Sequence, residues 1–199
     1  MPFQKGGTMA LAAVFIDGEY LRKVRENEFP DIFPDYSKIG SELCKRIGPE
    51  VQLLRTYYYD SMPFKSQNPD EKELQLHEIK RKMLDAFTYF EDFQVRKGRC
   101  IKVFDARGKP KFLQKGIDTW ISIDLTRLSA TGRIEHAILL AGDGDFVPPV
   151  LAAKEQGVKI WVFHGQSFSR ALYTAADRRI PITRDLLLSI KRESRRIQS

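Results

Sequence analysis

Residues 135–149 read Glu135-His136-Ala137-Ile138-Leu139-Leu140-Ala141-Gly142-Asp143-Gly144-Asp145-Phe146-Val147-Pro148-Pro149. The continuous apolar run from Ala137 to Ala141 suits a strand buried on both faces, and such strands belong to parallel sheets. It stops on Gly142 and an acidic turn. Pro148 and Pro149 fall where the first turn of a helix tolerates proline, so a helix continuing over 150–156 and ended by Gly157 is expected. The same pattern opens the chain, where Leu11-Ala12-Ala13-Val14-Phe15-Ile16 runs into Asp17-Gly18, and Val158 to Phe163 forms a last strong apolar run. Buried strands that end in acids and lead into helices are the basis of the fold assignment.

Working outward, Tyr36, Ile39, Leu43 and Ile47 repeat at helical spacing. Val51 to Tyr59 is β-branched and aromatic enough for a strand, stopped by Asp60 and Pro63. Asp70 to about Phe90 reads as a long surface helix with Leu74, Ile79, Met83 and Phe87 as its apolar stripe; Asp70 and Glu73 have capping-box spacing. Val95, Ile101, Val103 and Phe104 support a further strand, with a turn or exposed loop at Arg107-Gly108-Lys109-Pro110. Ile117 to about Leu128 is helical, led in by Lys115-Gly116, and helices over 172–176 and 185–193 finish the chain. Strands alternating with helices predict an α/β sandwich around a mostly parallel sheet. The expected division is a flexible leader at 1–10, one domain over 11–183, and a C-terminal helix with a basic tail over 184–199.

The chain has 199 residues, of which 42% are hydrophobic and 30% charged, which rules out wholesale disorder. Cys44 and Cys100 stand far apart with no CxxC spacing, so a disulfide framework and a structural zinc site lose support and a reducing cytoplasm is expected. No run approaches the length of a membrane span. The net charge of +7 is unevenly placed. Arg96, Lys97, Arg99, Lys102, Arg107, Lys109, Lys111 and Lys115 face only Asp105 within 94–115, a local +7; residues 178–199 add +5, which leaves −5 for the rest. With Phe104 and Phe112 interleaved, the first segment reads as a nucleic-acid contact, its most exposed part running from Asp105 to Gln114. The competing reading is a solvated hairpin.

Acids gather where the strands end. If the first strand and the 135–141 strand are neighbours, Asp17, Asp143 and Asp145 meet at the carboxyl ends of a parallel sheet, where sites form. Asp118, at the start of a helix, is a third contributor. Carboxylates without His or Cys favour a hard ion, Mg²⁺ or Mn²⁺, and such ions activate water and phosphoryl oxygens for phosphodiester hydrolysis. Singly, each acid is an ordinary strand-end or capping residue; only their convergence makes a site. Asp124 lies six positions after Asp118, about 600° of helix rotation, so the two cannot share a face. There is no Walker loop, no GxGxxG after a strand and no nucleophile elbow. His77, His136 and His164 are scattered; Cys44, Trp120 and Trp161 read as core.

Phe15-Ile16-Asp17-Gly18, Lys115-Gly116-Ile117-Asp118 with Ile123-Asp124, and Leu140-Ala141-Gly142-Asp143-Gly144-Asp145-Phe146 resemble the three motifs of NYN-domain proteins of the LabA-like group, in the PIN-like nuclease superfamily. Arg55 to Asp60 and Lys154 to Lys159 resemble it too. The resemblance implies a PIN-like three-layer α/β/α sandwich and a ribonuclease. Its acidic pocket maps to Asp17, Asp118, Asp143 and Asp145. Asp17, Asp118 and Asp143 would bind Mg²⁺ or Mn²⁺, and Asp145 would position a water. The resemblance implies Asp124 only as a candidate second-rank member; Glu19 is a further second-rank candidate, as a compensating carboxylate. The implied partner is RNA, single-stranded in preference, with no membrane and with homo-oligomerisation left open. The family's Asp-Gly-x-Asn reads Asp17-Gly18-Glu19-Tyr20 here. The lost amide supports a rival reading, a non-catalytic nucleic-acid-binding or adaptor module.

Overall fold

The computed structural model describes residues 9–192. The apolar runs form the middle of one sheet. β1 (Ala10–Asp17) lies between β2 (Val51–Ser61) and β5 (His136–Leu140), parallel to both. Beyond β5 come β6 (Lys159–His164) and β7 (Arg178–Pro181), also parallel. Beyond β2 come β3 (Phe93–Phe104), parallel, and β4 (Pro110–Lys115), antiparallel to β3. The order is β4-β3-β2-β1-β5-β6-β7, so the chain winds outward from β1 on one side and then restarts at β5 on the other. The crevice at that reversal, past the carboxyl ends of β1 and β5, is where parallel sheets place their sites.

Side-chain alternation along β1 divides the core into two layers. Ala12, Val14 and Ile16 face α1 (Gly18–Glu28), α2 (Tyr36–Ile47) and α3 (Glu71–Phe87) through Leu21, Ile39, Leu43, Leu84 and Phe87. Ala13 and Phe15 face α4 (Ile117–Ala130), α5 (Val147–Glu155) and α6 (Arg170–Ala175) through Ile121, Leu125, Val150 and Leu172. The result is the α/β/α sandwich expected of a PIN-like fold.

Several elements depart from the sequence expectations. β2 runs through Asp60, because that carboxylate is buried against the Lys80 ammonium and the Tyr58 hydroxyl instead of turning to solvent. Leu74 and Ile79 stay exposed, and the buried residues of α3 are Leu84 and Phe87. Asp70 does cap α3, accepting from the Glu73 N–H at 2.7 Å, but the Glu73 carboxylate holds the Ser66 amide and hydroxyl and so closes no capping box. Residues 110–115 form strand β4 and not a loop, so the turn at the tip is confined to the residues between Phe104 and Pro110. β7 has no apolar run to announce it. Trp120 is exposed, with the Arg96 guanidinium over its ring at 5.0 Å, and is not a core residue. α7 (Arg184–Ser189) buries Leu186 and Leu187 with Ile190 in the core, so residue 183 marks no structural break. The leader at 1–10 and the tail beyond Arg192 lie outside the described residues, apart from Met9 and Ala10, which leads into β1.

Candidate metal centre

Three aspartates arrive at one cavity from three different parts of the chain. Asp17 closes β1 and caps α1, its Oδ1 accepting the Tyr20 N–H at 3.0 Å. Asp143 follows β5 and caps the single 3₁₀ turn Gly144–Phe146, its Oδ1 accepting the Asp145 N–H at 3.0 Å. Asp118 sits in the first turn of α4. That helix starts from Gly116 at φ 88°, a left-handed conformation that favours glycine and turns the chain out of β4. Asp17, Asp118 and Asp143 line an open cavity of about 700 Å³ together with Glu19, Tyr20 and Lys23 from α1, Gln114 from β4, and the loop Ser167-Phe168-Ser169.

The local field is unbalanced. Burial pushes the Asp17 carboxyl up to about 6, and the Glu19 and Asp118 charges add to the rise against the Tyr20 N–H. Asp118 is also raised, first by burial and then by the charges of Asp143, Asp145 and Glu19, with Lys115 opposing. Among the described residues, Asp17, Asp118, Asp143 and Asp145 have no ion-pair partner within 4.0 Å, whereas Glu19 is answered by Lys23 at 2.7 Å. Asp145 is exposed and does not line the cavity, although its charge reaches Asp118. Among the described residues no three carboxylate, imidazole or thiol groups are close enough together to chelate one ion directly. The donor set still suits a hard cation. Asp17 and Asp143 each spend one oxygen on a backbone amide and keep the other, and Mg²⁺ takes only one or two carboxylates while retaining much of its water. A hydrated ion fits.

Asp124 does something else. It is 1% exposed, on the buried face of α4 with Ile121 and Leu128, and its oxygens take the Arg96 guanidinium in a two-pronged pair at 2.9 and 3.0 Å. The Tyr59 hydroxyl at 3.0 Å and Arg127 at 3.3 Å complete its shell. Arg96 is thereby tied to α4, and Lys97 pairs with Asp85 at 2.8 Å. The other basic candidates divide between the faces of the β3–β4 hairpin. Pairing sets Lys102 opposite Phe112 and Cys100 opposite Gln114 on one face, and Arg99 opposite Lys115 on the other with Lys111. Phe104 and Phe112 are 66% and 54% exposed, and Lys102 lies over the Phe104 ring at 5.6 Å. Arg107 and Lys109 occupy the tip, where their N–H groups hold the Asp105 carboxylate.

Sequence reasoning missed the far wall. The Tyr20 ring packs so closely on Gly142 that a Cβ there would lie 2.2 Å from it. The Tyr20 hydroxyl donates to the Ser167 carbonyl at 2.8 Å and accepts from the Gly165 N–H at 3.0 Å. Ser167 and Ser169 border the cavity as part of that loop. Only the Asp17-Gly18-Glu19-Tyr20 spacing hinted that Tyr20 faced the site. Cys44 is core as expected, and burial pushes its thiol up to about 12.

The family model described as the NYN domain matches residues 11–185. No curated protein matches the chain. Among solved structures, MurG of Acinetobacter baumannii is similar over 86% of this chain and 41% of that one, at 11% identity and a TM-score of 0.39. The chain thus spans less than half of that protein, and so weak a likeness carries no argument.

Proposed function

From the fact that the chain belongs to the NYN-domain family, nuclease-type domains of the PIN-like superfamily, we propose that it is a LabA-like, metal-dependent ribonuclease that hydrolyses phosphodiester bonds of single-stranded RNA. One observation carries the reading. Three carboxylates from β1, α4 and the turn after β5 border one open cavity at the strand-order reversal, and among the described residues none has an ion-pair partner within 4.0 Å.

Asp17, Asp118 and Asp143 would hold Mg²⁺ or Mn²⁺. That ion supplies Lewis-acid polarisation of the phosphoryl oxygen and lowers the pKa of a water. The remaining work falls to the chain. The Tyr20 N–H and Asp145 N–H fix the carboxylates of Asp17 and Asp143 in orientation. Asp145, exposed two residues on and outside the cavity lining, would help position an outer-shell water, and its charge reaches Asp118. Lys102, on the hairpin face that carries Gln114, with Lys109 at the tip and Lys115 beside α4, would bring the phosphate backbone to a pocket that would otherwise repel it. With two free cysteines, one buried, a cytoplasmic setting is part of the proposal. Among the described residues no helix is long and apolar enough to cross a membrane.

The test is cleavage of an end-labelled single-stranded oligoribonucleotide in Mn²⁺, Mg²⁺ or EDTA. Cleavage is expected with either metal, and none in EDTA or with Asp143→Asn. Full cleavage by a folded Asp17→Asn variant would remove that residue from the mechanism. Tyr20 favours a second reading: its ring fills the space over Gly142, as a side chain that replaced a functional amide in a binding or adaptor module would. RNA binding that persists in EDTA, with no cleavage in either metal, would establish that alternative.

A further inference from the structure

We propose that the loop beyond β6 carries a base-stacking platform that seats one unpaired nucleobase beside the acidic cavity, with Phe168 as its face. The inference rests on the nuclease reading and deepens it by assigning a second substrate contact.

Phe168 and Tyr173 are 38% and 37% exposed yet packed on each other, ring centroids 4.9 Å apart and planes 23° apart. His164 braces them at 4.4 Å from Phe168 and 5.4 Å from Tyr173. The Arg179 guanidinium lies 5.3 Å from the centre of the Tyr173 ring and is itself anchored on the carbonyls of Tyr173 and Thr174. The series Arg179, Tyr173, Phe168 therefore ends at the cavity, since only its last member lines it. An aromatic surface left in water costs free energy that a π-faced ligand recovers.

The platform is held rigidly. The Tyr20 hydroxyl bridges Gly165 and Ser167, the Gln166 N–H donates to Glu28 at 2.9 Å, and the Ser169 N–H donates to the Gly142 carbonyl at 2.7 Å. Four hydrogen bonds thus fix the backbone on both sides of Phe168, so little ordering entropy remains to be lost on binding. Tyr20 acts here as a positioning residue, which gives its ring a use that the lost amide does not explain. Charge and placement select the ligand. The cavity runs from Gln114 on the basic hairpin, past the aspartates, to Phe168, with the exposed Arg170 two residues further on. A phosphate backbone led in from the hairpin therefore brings a base to Phe168 after crossing the carboxylates. Only an unpaired base can offer its face, which excludes a duplex.

The test uses the full chain in EDTA and a short oligoribonucleotide with one 2-aminopurine, compared with the same strand made abasic at that position. Wild type should quench the probe and bind the intact strand about 5- to 150-fold more tightly than the abasic one, the range expected for stacking on an aromatic side chain. Phe168→Leu, which keeps the apolar volume, should abolish both the quenching and the preference, and Phe168→Trp should retain them. An unchanged preference in Phe168→Leu, or no binding of either strand, overturns the proposal. So does a dimer in sedimentation that Phe168→Leu dissolves, because the patch would then belong to a second copy. Cleavage in Mn²⁺ is followed alongside. Cleavage without stacking sinks the platform alone, and stacking without cleavage sinks the nuclease reading alone.

Discussion

Asp118 and Asp124 stand six residues apart on α4, and the chain treats them in opposite ways. Asp124 is buried and surrounded by Arg96, Arg127 and the Tyr59 hydroxyl. Asp118 faces a cavity among other carboxylates, with no ion pair among the described residues, and its carboxyl is raised above the usual range by burial and by their charge. A buried charge is tolerable only when something neutralises it. Where the chain supplies the cation, the aspartate is structural. Asp118 is exposed, so water can solvate its charge and it stays free to take a cation as a candidate ligand, whereas Asp124 is a brace on the same helix.

The largest expected effect separates the pair by chemistry. Asp118→Asn should lower metal-dependent RNA cleavage about 1000-fold, in the range of losing a principal electrostatic group, while Asp124→Asn lowers it less than 10-fold in the protein that remains folded. Initial rates at saturating Mn²⁺ decide it; equal losses would erase the distinction. Stability should reverse the order. Asp124→Asn strands Arg96 and Arg127 and should cost about 3 kcal/mol in urea denaturation, whereas Asp118→Asn should cost nothing or stabilise.

Asp17 sharpens the comparison through pH. Its folded-state pKa of about 6 lies above the ordinary 3.8, so the folded chain binds more protons between those values and its stability falls as pH rises through that window. Asp17→Asn keeps a capping side chain and removes the penalty. A gain of about 1–2 kcal/mol is expected at pH 7, shrinking to nothing near pH 4, by thermal unfolding across that range. The smallest effect concerns the cations. Lys102→Gln should reduce the salt dependence of RNA binding by about one unit of slope with no change in melting temperature. Arg96→Gln should do the reverse, losing stability with the salt slope unchanged, because its charge is already spent on Asp124.

Much of the site was legible because its residues lie at strand ends. The apolar runs before Asp17 and Asp143 located β1 and β5, and helical periodicity located α4, so three candidate ligands followed from local pattern. The helix angle separated Asp124 from Asp118 before any partner was visible. The basic segment was legible as charge and not as surface. Arg96 and Lys97 turned out to be committed to Asp124 and Asp85, partners 28 and 12 residues away, and hairpin pairing split most of the rest between two faces. The loop at 165–169 carried no periodicity, so Phe168 and the use of Tyr20 stayed hidden.

The sequence by itself determined the class of fold, the strand-end aspartates and the separation of charge, since each of these depends on short-range pattern. Tertiary structure alone decided which charges are neutralised and which remain. Neutralisation depends on what another element places within a few ångströms, and β3 meeting α4 at Arg96 and Asp124, or α1 reaching the β6–α6 loop through Tyr20, is a product of strand order and packing.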